Sequence, residues 1–127
     1  MIAFVQDAPV GETTSLRLTF AGQAIGEASW TLTGPVADGV VQVVRFTIDE
    51  VHRRQGHGGR MMKELVAQTR RALAAKGSKL RRVWVAVEQK TQIHARAFLT
   101  QQGFHHVTTV ENLLKRQDLL IYVKSYA

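Results

Sequence analysis

The chain has 127 residues, 45% of them apolar and 21% charged, with no cysteine and a formal net charge of +7. That is one domain's worth of chain, expected to span 1–127, with room for a real core and without a disulfide framework, thiolate zinc site or cysteine nucleophile. No apolar run reaches the roughly 18 residues of a membrane-spanning helix. The opening MIAFVQDAPV lacks the basic and long apolar regions of a secretion signal, so the expected location is the cytoplasm.

Met1 to Gln6 reads as a short edge strand, followed by a turn through Asp7-Ala8-Pro9-Val10-Gly11. Ser15 to Phe20 alternates, with Leu16, Leu18 and Phe20 on one face. Ala21-Gly22-Gln23 turns the chain into a strand over Ala24–Leu32, and Gly34–Gly39 turns it again. Val40–Ile48 is nearly continuous in apolar residues, the pattern of a central strand buried on both faces.

A helix is predicted from Gly58 to Ala75, with Met61, Met62, Leu65, Val66, Thr69 and Leu73 on its buried stripe and Gly77 as its stop. Arg82–Val87 is the next strand, and strand, helix and strand in this order imply a right-handed parallel crossover. Thr91 suits the N-cap of a second helix over Gln92–Gln102, whose Ile93, Ala97 and Phe98, with Ala95 and Leu99, face the sheet. Gly103 ends it. His105–Val110 and Leu119–Tyr126 make a final antiparallel pair joined by a polar connection, Glu111 to Asp118. The whole is an α/β (or α+β) layer with a mixed sheet of six to seven strands and two main helices.

Positive residues gather in Arg53 to Arg60, in Thr69 to Arg82 and at Lys115-Arg116. A solvated helix face accounts for much of this, and a phosphate-rich small molecule accounts for the first cluster. The basic stretches carry little interleaved aromatic surface, so nucleic acid is not the expected partner. No pair of histidines has metal-ligand spacing and no carboxylate completes a triad, so no metal is expected.

The stretch Arg53-Arg54-Gln55-Gly56-His57-Gly58-Gly59 opens the first helix. A glycine-rich turn at a helix N-terminus presents unpaired N–H groups at the positive end of the helix dipole, a site suited to phosphate. The segment lacks the Lys-Ser/Thr pair of a P-loop and the full GxGxxG of a dinucleotide turn. It does satisfy [RQ]-x-x-G-x-[GA], the acyl-CoA loop of the GNAT N-acetyltransferase superfamily. Gln92-Ile-His-Ala95-Arg-Ala-Phe98-Leu99-Thr-Gln-Gln-Gly103-Phe104 resembles the family's N-x-x-A-x-x-F-Y-x-x-x-G-F helix, and the resemblance runs from about Val40 to Tyr126.

The resemblance implies that Val40–Ile48 and Arg82–Val87 splay apart at their C-terminal ends. The pantetheine arm of acetyl-CoA enters there and pairs with backbone near Phe46, Thr47 and Ile48. Its pyrophosphate sits on N–H groups from Arg54 through Gln55, Gly56, His57 and Gly58 to Gly59, with Arg53, Arg54 and Arg60 adding charge. Gln92 and Phe98 join the CoA-binding positions. A backbone N–H of the central strand polarises the thioester carbonyl, and a primary amine of a small molecule, peptide or protein attacks directly.

The departures from the pattern are informative. Gln92 stands for the usual Asn. Leu99 stands for the usual Tyr, whose hydroxyl can protonate the leaving thiolate, so a non-catalytic acyl-CoA-binding or regulatory module is the alternative. Glu88 and His94 are candidate catalytic bases by location, and Asp49 and Glu50 follow the central strand. The family's acceptor-side helices have no room between Met1 and Ser15. The acceptor side is therefore expected to be open, with Gly34–Gly39, Glu111–Asp118 or the second subunit of a homodimer defining the substrate.

Overall fold

The computed structural model describes residues 2–7, 13–53, 55–90, 92–114 and 117–126, with backbone only at 93 and 112–114. In chain order the strands are β1 (Ile2–Gln6), β2 (Thr13–Phe20), β3 (Gln23–Thr33), β4 (Val40–Ile48) and β5 (Arg82–Glu88), then β6 (His105–Leu114) and β7 (Gln117–Ser125). Helix α1 (His57–Ala74) joins β4 to β5, and α2 (Ile93–Gln101) joins β5 to β6. The strands form one sheet in the order β1-β2-β3-β4-β5-β7-β6. β4 and β5 pair in parallel and every other neighbouring pair is antiparallel. Residues 7–12 alone separate β1 from β2, a span too short for two helices.

Both helices lie on one face. The buried Trp30 indole of β3 donates to Gln68 Oε1 of α1 at 3.0 Å, a bond whose loss would leave an indole N–H unpaired at a cost of about 1–3 kcal/mol. Gly58 of α1 lies against the Phe98 ring of α2. Under the helices, Leu16, Leu18, Val41, Val43 and Val83 of the sheet meet Met61, Leu65 and Leu73 of α1. Each fully buried side chain of this kind contributes about 1.5–3 kcal/mol. The α1 stripe also includes His57 and Gln68, whose polarity hid them from the sequence pattern.

Both helices stop at a glycine in the left-handed region. Ser78 N–H donates to Leu73 O and Gly77 N–H to Ala74 O; Phe104 N–H donates to Leu99 O and Gly103 N–H to Thr100 O. These are paired C-terminal caps of the Schellman type, and in the second the apolar contact of the motif is met by buried Leu99 and Phe104.

Several expectations need correction. β4 is not buried on both faces: Val41 and Val43 are buried, but Val44 is 47% exposed, because no helix among the described residues covers the other side of the sheet. The last two strands extend to Leu114 and from Gln117, so the predicted Glu111–Asp118 connection is largely extended strand. The register shifts after Val110↔Leu119, and within this segment Leu114↔Gln117 is the pair formed among the described residues. Ala97 is exposed, whereas Ala95, Phe98 and Leu99 face the core; helical spacing (i, i+3, i+4) groups those three and excludes 97. Thr91 lies outside the described residues, and Gln92 takes the N-cap of α2 with no side-chain capping bond. The Gln92 side chain reaches backward instead, its Oε1 accepting Glu88 N–H at 2.7 Å.

Candidate active site

The parallel pairing of β4 with β5 runs from Val40↔Arg82 to Val43↔Val85 and stops there, although β4 continues to Ile48 and β5 to Glu88. The two strands therefore part in a V at their C-terminal ends. On its other edge β4 loses register with β3 at the same level: Trp30 pairs with Val43 and Ser29 with Arg45, so Val44 is a bulged residue. A bulge re-aims backbone groups and bends the strand. Here it coincides with the point where the parallel ladder ends, leaving β4 backbone facing the V rather than a partner strand.

A cavity of about 100 Å³ occupies the V. Its walls come from β4 at Val43–Phe46, from β5 at Val85–Val87, and from the helices at Met62, Gln92, Ala95, Phe98 and Leu99. Apolar walls with exposed backbone at one side suit a flexible chain that carries an acyl group at its tip. Phe98 ties the site together. Its ring centroid is 5.3 Å from that of Phe46, and a Cβ on Gly58 would stand 3.0 Å from its Cε1. The small residue at position 58 is thus explained by the close approach of α1 to α2.

The loop from β4 to α1 is held by its own bonds. Asp49 N–H donates to Ile25 O at 2.7 Å, and Arg53 Nε donates to the carbonyl of Ile48 at 2.9 Å. Gln55 Nε2 donates to Val51 O at 3.4 Å, and its Oε1 lies 3.2 Å from Nε2 of the buried His57. His57 Nδ1 is buried with no hydrogen-bond partner among the described residues. Gly56 adopts φ 79°, ψ 4°, the left-handed geometry that turns the chain into α1. No side chain caps that N-terminus and its first turn holds no acidic residue. The first helical N–H to find a carbonyl is that of Arg60, to Gly56 O at 3.3 Å. The N–H groups of His57, Gly58 and Gly59 therefore stand at the positive end of the dipole, available to an anion.

The other predicted positions are distributed as follows. Phe46, Gln92 and Phe98 line the cavity; Thr47 is exposed and Ile48 half-buried, both beyond the lining toward the mouth. Gly59 is half-buried, Arg53 and Arg60 are exposed, and Arg54 lies outside the described residues. Glu88 follows the last lining residue of β5, and His94 is exposed on α2; neither lines the cavity. Leu99, at the acid position, does line it and is 3% exposed. Tyr122 does not replace the missing acid: its hydroxyl lies outside the lining and accepts from Arg96 Nε at 3.1 Å. Tyr126 is farther away, at the paired end of β5, with the Arg70 guanidinium 5.1 Å from its ring centroid; burial raises its pKa.

One loop expected on the acceptor side is at the other end of the sheet. Gly34–Gly39 precedes Val40, the paired end of β4, where Val36 O accepts from Ser78 Oγ at 2.8 Å. The β6–β7 end lies beside the C-terminal end of β5, since Gln89 N–H donates to Asp118 O and Lys90 N–H to Gln117 Oε1. Val44 and Arg45 were missed. A readable signal existed: the buried alternation Val41, Val43 resumes at Phe46, Ile48, one step out of phase, as a bulge requires.

No helix among the described residues is long and apolar enough to cross a membrane. A sequence model of the acetyltransferase (GNAT) family matches residues 6–104. A search of curated proteins gives no match. Among solved structures, the chain is similar to the IAA acetyltransferase from Bacillus cereus, with TM-score 0.80 at 9% identity over 99% of this chain and 100% of that one. It is also similar to a GNAT family acetyltransferase from Elizabethkingia anophelis with acetyl-CoA bound, with TM-score 0.75 at 9% identity over 98% of each chain. The ribosomal-protein-S18-alanine N-acetyltransferase from Escherichia coli gives TM-score 0.73 at 18% identity over 94% of this chain and 74% of that one. Seven strands in this order, a V between β4 and β5 and a matching family model over most of its length lead to one conclusion: the chain belongs to the acetyltransferase (GNAT) family.

Proposed function

We propose that this chain transfers an acetyl group from acetyl-CoA to a primary amine by direct attack. The observation that carries this reading is the parting of β4 and β5 after Val43↔Val85, with a bulge and an apolar cavity at that point. The N–H groups of His57–Gly59 hold the pyrophosphate, with Arg53, Arg54 and Arg60 adding charge around it. Backbone of β4 between Val44 and Ile48 pairs with the pantetheine arm. A β4 N–H beside the bulge donates to the thioester oxygen and stabilises the negative charge that develops as the amine attacks. Collapse of the tetrahedral carbon breaks the C–S bond, the nitrogen loses a proton, and the sulfur leaves as thiolate. Glu88, at the mouth of the V, takes the nitrogen's proton through water; His94, exposed on α2, is the second candidate.

Two measurements test this. Acetyl-CoA at about a hundred times its Kd should stabilise the fold by about 2.7 kcal/mol, read as a rise in thermal midpoint. Free-thiol release across a panel of amines should then reveal turnover. Absence of any stabilisation at millimolar acetyl-CoA would defeat the reading. The burial of Leu99 at the acid position favours a second one, a non-catalytic acyl-CoA-binding or regulatory module. It predicts the same stabilisation with no thiol release for any amine.

The packing of Gly58 yields a sharper result. In Gly58→Ala the new Cβ, 3.0 Å from Phe98 Cε1, displaces the ring by a few tenths of an ångström, and acetyl-CoA affinity should change little. Gly58→Val adds two methyl groups against the same ring and drives it toward Phe46, into the cavity. Overpacking of this kind costs about 1–3 kcal/mol of folding stability, and a ring pushed into the cavity should separately weaken acetyl-CoA binding by about tenfold, about 1.4 kcal/mol in calorimetric titration.

A further inference from the structure

Among the described residues lining the cavity, Arg45 alone carries a formal charge. It directly follows the bulged Val44 on β4. Phe46 turns toward Phe98 on the helix side, so Arg45, one step back along the pleat, projects from the opposite, uncovered face. Its side chain is 62% exposed, and its contact with Glu27 Oε2, at 3.8 Å, is an ion pair too long to be a hydrogen bond. A pyrophosphate on the α1 N-terminus lies on the helix side of β4, away from this guanidinium. An amine that approaches the carbonyl carbon from the uncovered face meets Arg45 at the cavity wall.

We propose that the acceptor amine also carries a carboxylate and that Arg45 selects for it, an inference that rests on the acetyl-transfer reading above. A guanidinium presents a planar fork that takes a carboxylate through two parallel N–H···O bonds. Two bonds fix orientation as well as distance, so a short amino acid docked by its carboxylate presents its nitrogen to the thioester in a defined geometry. The excess of basic residues, 17 Lys and Arg against 10 Asp and Glu, draws an anionic acceptor toward the protein and disfavours polyamines. Arg45 is thus a specificity-determining residue on the acceptor side.

The test uses the intact chain, acetyl-CoA, a set of amino acids with their matched carboxamides, and putrescine as a polycationic probe; kcat/KM is read from free-thiol release. The amino acids should exceed their carboxamides by about tenfold or more, and putrescine should be the poorest acceptor. Arg45→Gln should bring the carboxylate-to-carboxamide ratio down by about the same factor. Arg45→Lys, which keeps charge without the fork, should retain part of the preference. Comparing ratios removes the lower basicity of the amide amines, and an unchanged thermal midpoint shows that the variants fold. Carboxamides or putrescine acetylated faster than the amino acids, or a preference that survives Arg45→Gln, overturns the inference. So does a wild-type chain that binds acetyl-CoA yet acetylates no carboxylate-bearing amine. Failure to bind acetyl-CoA at all overturns the acetyl-transfer reading itself.

Discussion

Gly39→Ala is expected to destabilise the fold by about 3 kcal/mol or more, a fall of about 10 °C in thermal midpoint for a chain of this length. Gly39 sits at φ 65°, ψ 33°, where a Cβ is disfavoured. That Cβ would also collide with the carbonyl oxygen of Lys79 and stand 3.2 Å from Arg81 N. Backbone cannot swing aside as a flexible side chain can, so the Lys79–Arg82 segment has to shift. The same segment is fastened to Gly39, whose carbonyl accepts Arg81 N–H at 2.8 Å and Arg82 N–H at 3.2 Å. These bonds start the β4–β5 ladder. Gly22→Ala is the control: φ is 83° but nothing lies within 4 Å of the new Cβ, so only the conformational cost of about 1–2 kcal/mol remains. Urea unfolding of both variants measures the difference, and equal losses at the two positions would rule out the collision. Because the cavity is at the far end of the β4–β5 pair, acetyl-CoA affinity of folded Gly39→Ala should stay within about threefold of wild type, a difference of about 0.7 kcal/mol.

Fold and site differed in how far the sequence disclosed them. β4, α1 and β5 announced themselves because their apolar residues recur at strand or helix period, and Gly77 and Gly103 marked helix ends that only a left-handed residue closes. Gly56 and Gly58 were legible as a pair, but the structure assigns them different causes: a left-handed turn at one, the Phe98 ring at the other. What sequence could not supply was placement across the sheet. Gly34–Gly39 was a candidate acceptor loop because the acceptor-side helices have no room between the first strands, yet strand direction puts it at the wrong end. Tyr122 is close to the site in topology, opposite Val85, but its hydroxyl is engaged with Arg96. Arg45 reads as an ordinary charge in an apolar strand until the bulge and the bare face around it are known.

Leu99→Tyr should raise turnover, by about tenfold at saturating acceptor. The side chain at 99 lines the cavity and is 3% exposed, so its replacement reaches the reacting end of the V. A tyrosine there adds volume, which in a closed core would cost about 1–3 kcal/mol. Here the adjoining cavity of about 100 Å³ offers room for the extra atoms and the hydroxyl. The backbone contribution is unchanged: the carbonyl of residue 99 still accepts from Phe104 N–H at 2.9 Å to close α2. A positioned general acid contributes about 10²–10⁴-fold when the leaving group needs a proton. A thiolate needs one less than an alkoxide does, since thiols ionise near pH 8.5, so the proposed transfer does not require a side-chain acid at position 99. The gain is therefore placed below that range, at about tenfold, and it should fade as pH approaches 10, where the phenol itself ionises. Leu99→Phe separates chemistry from packing, because it supplies the ring without the proton. Equal rates of thiol release from the Tyr and Phe variants would show that a hydroxyl at position 99 gives the departing thiolate no assistance and would overturn this prediction.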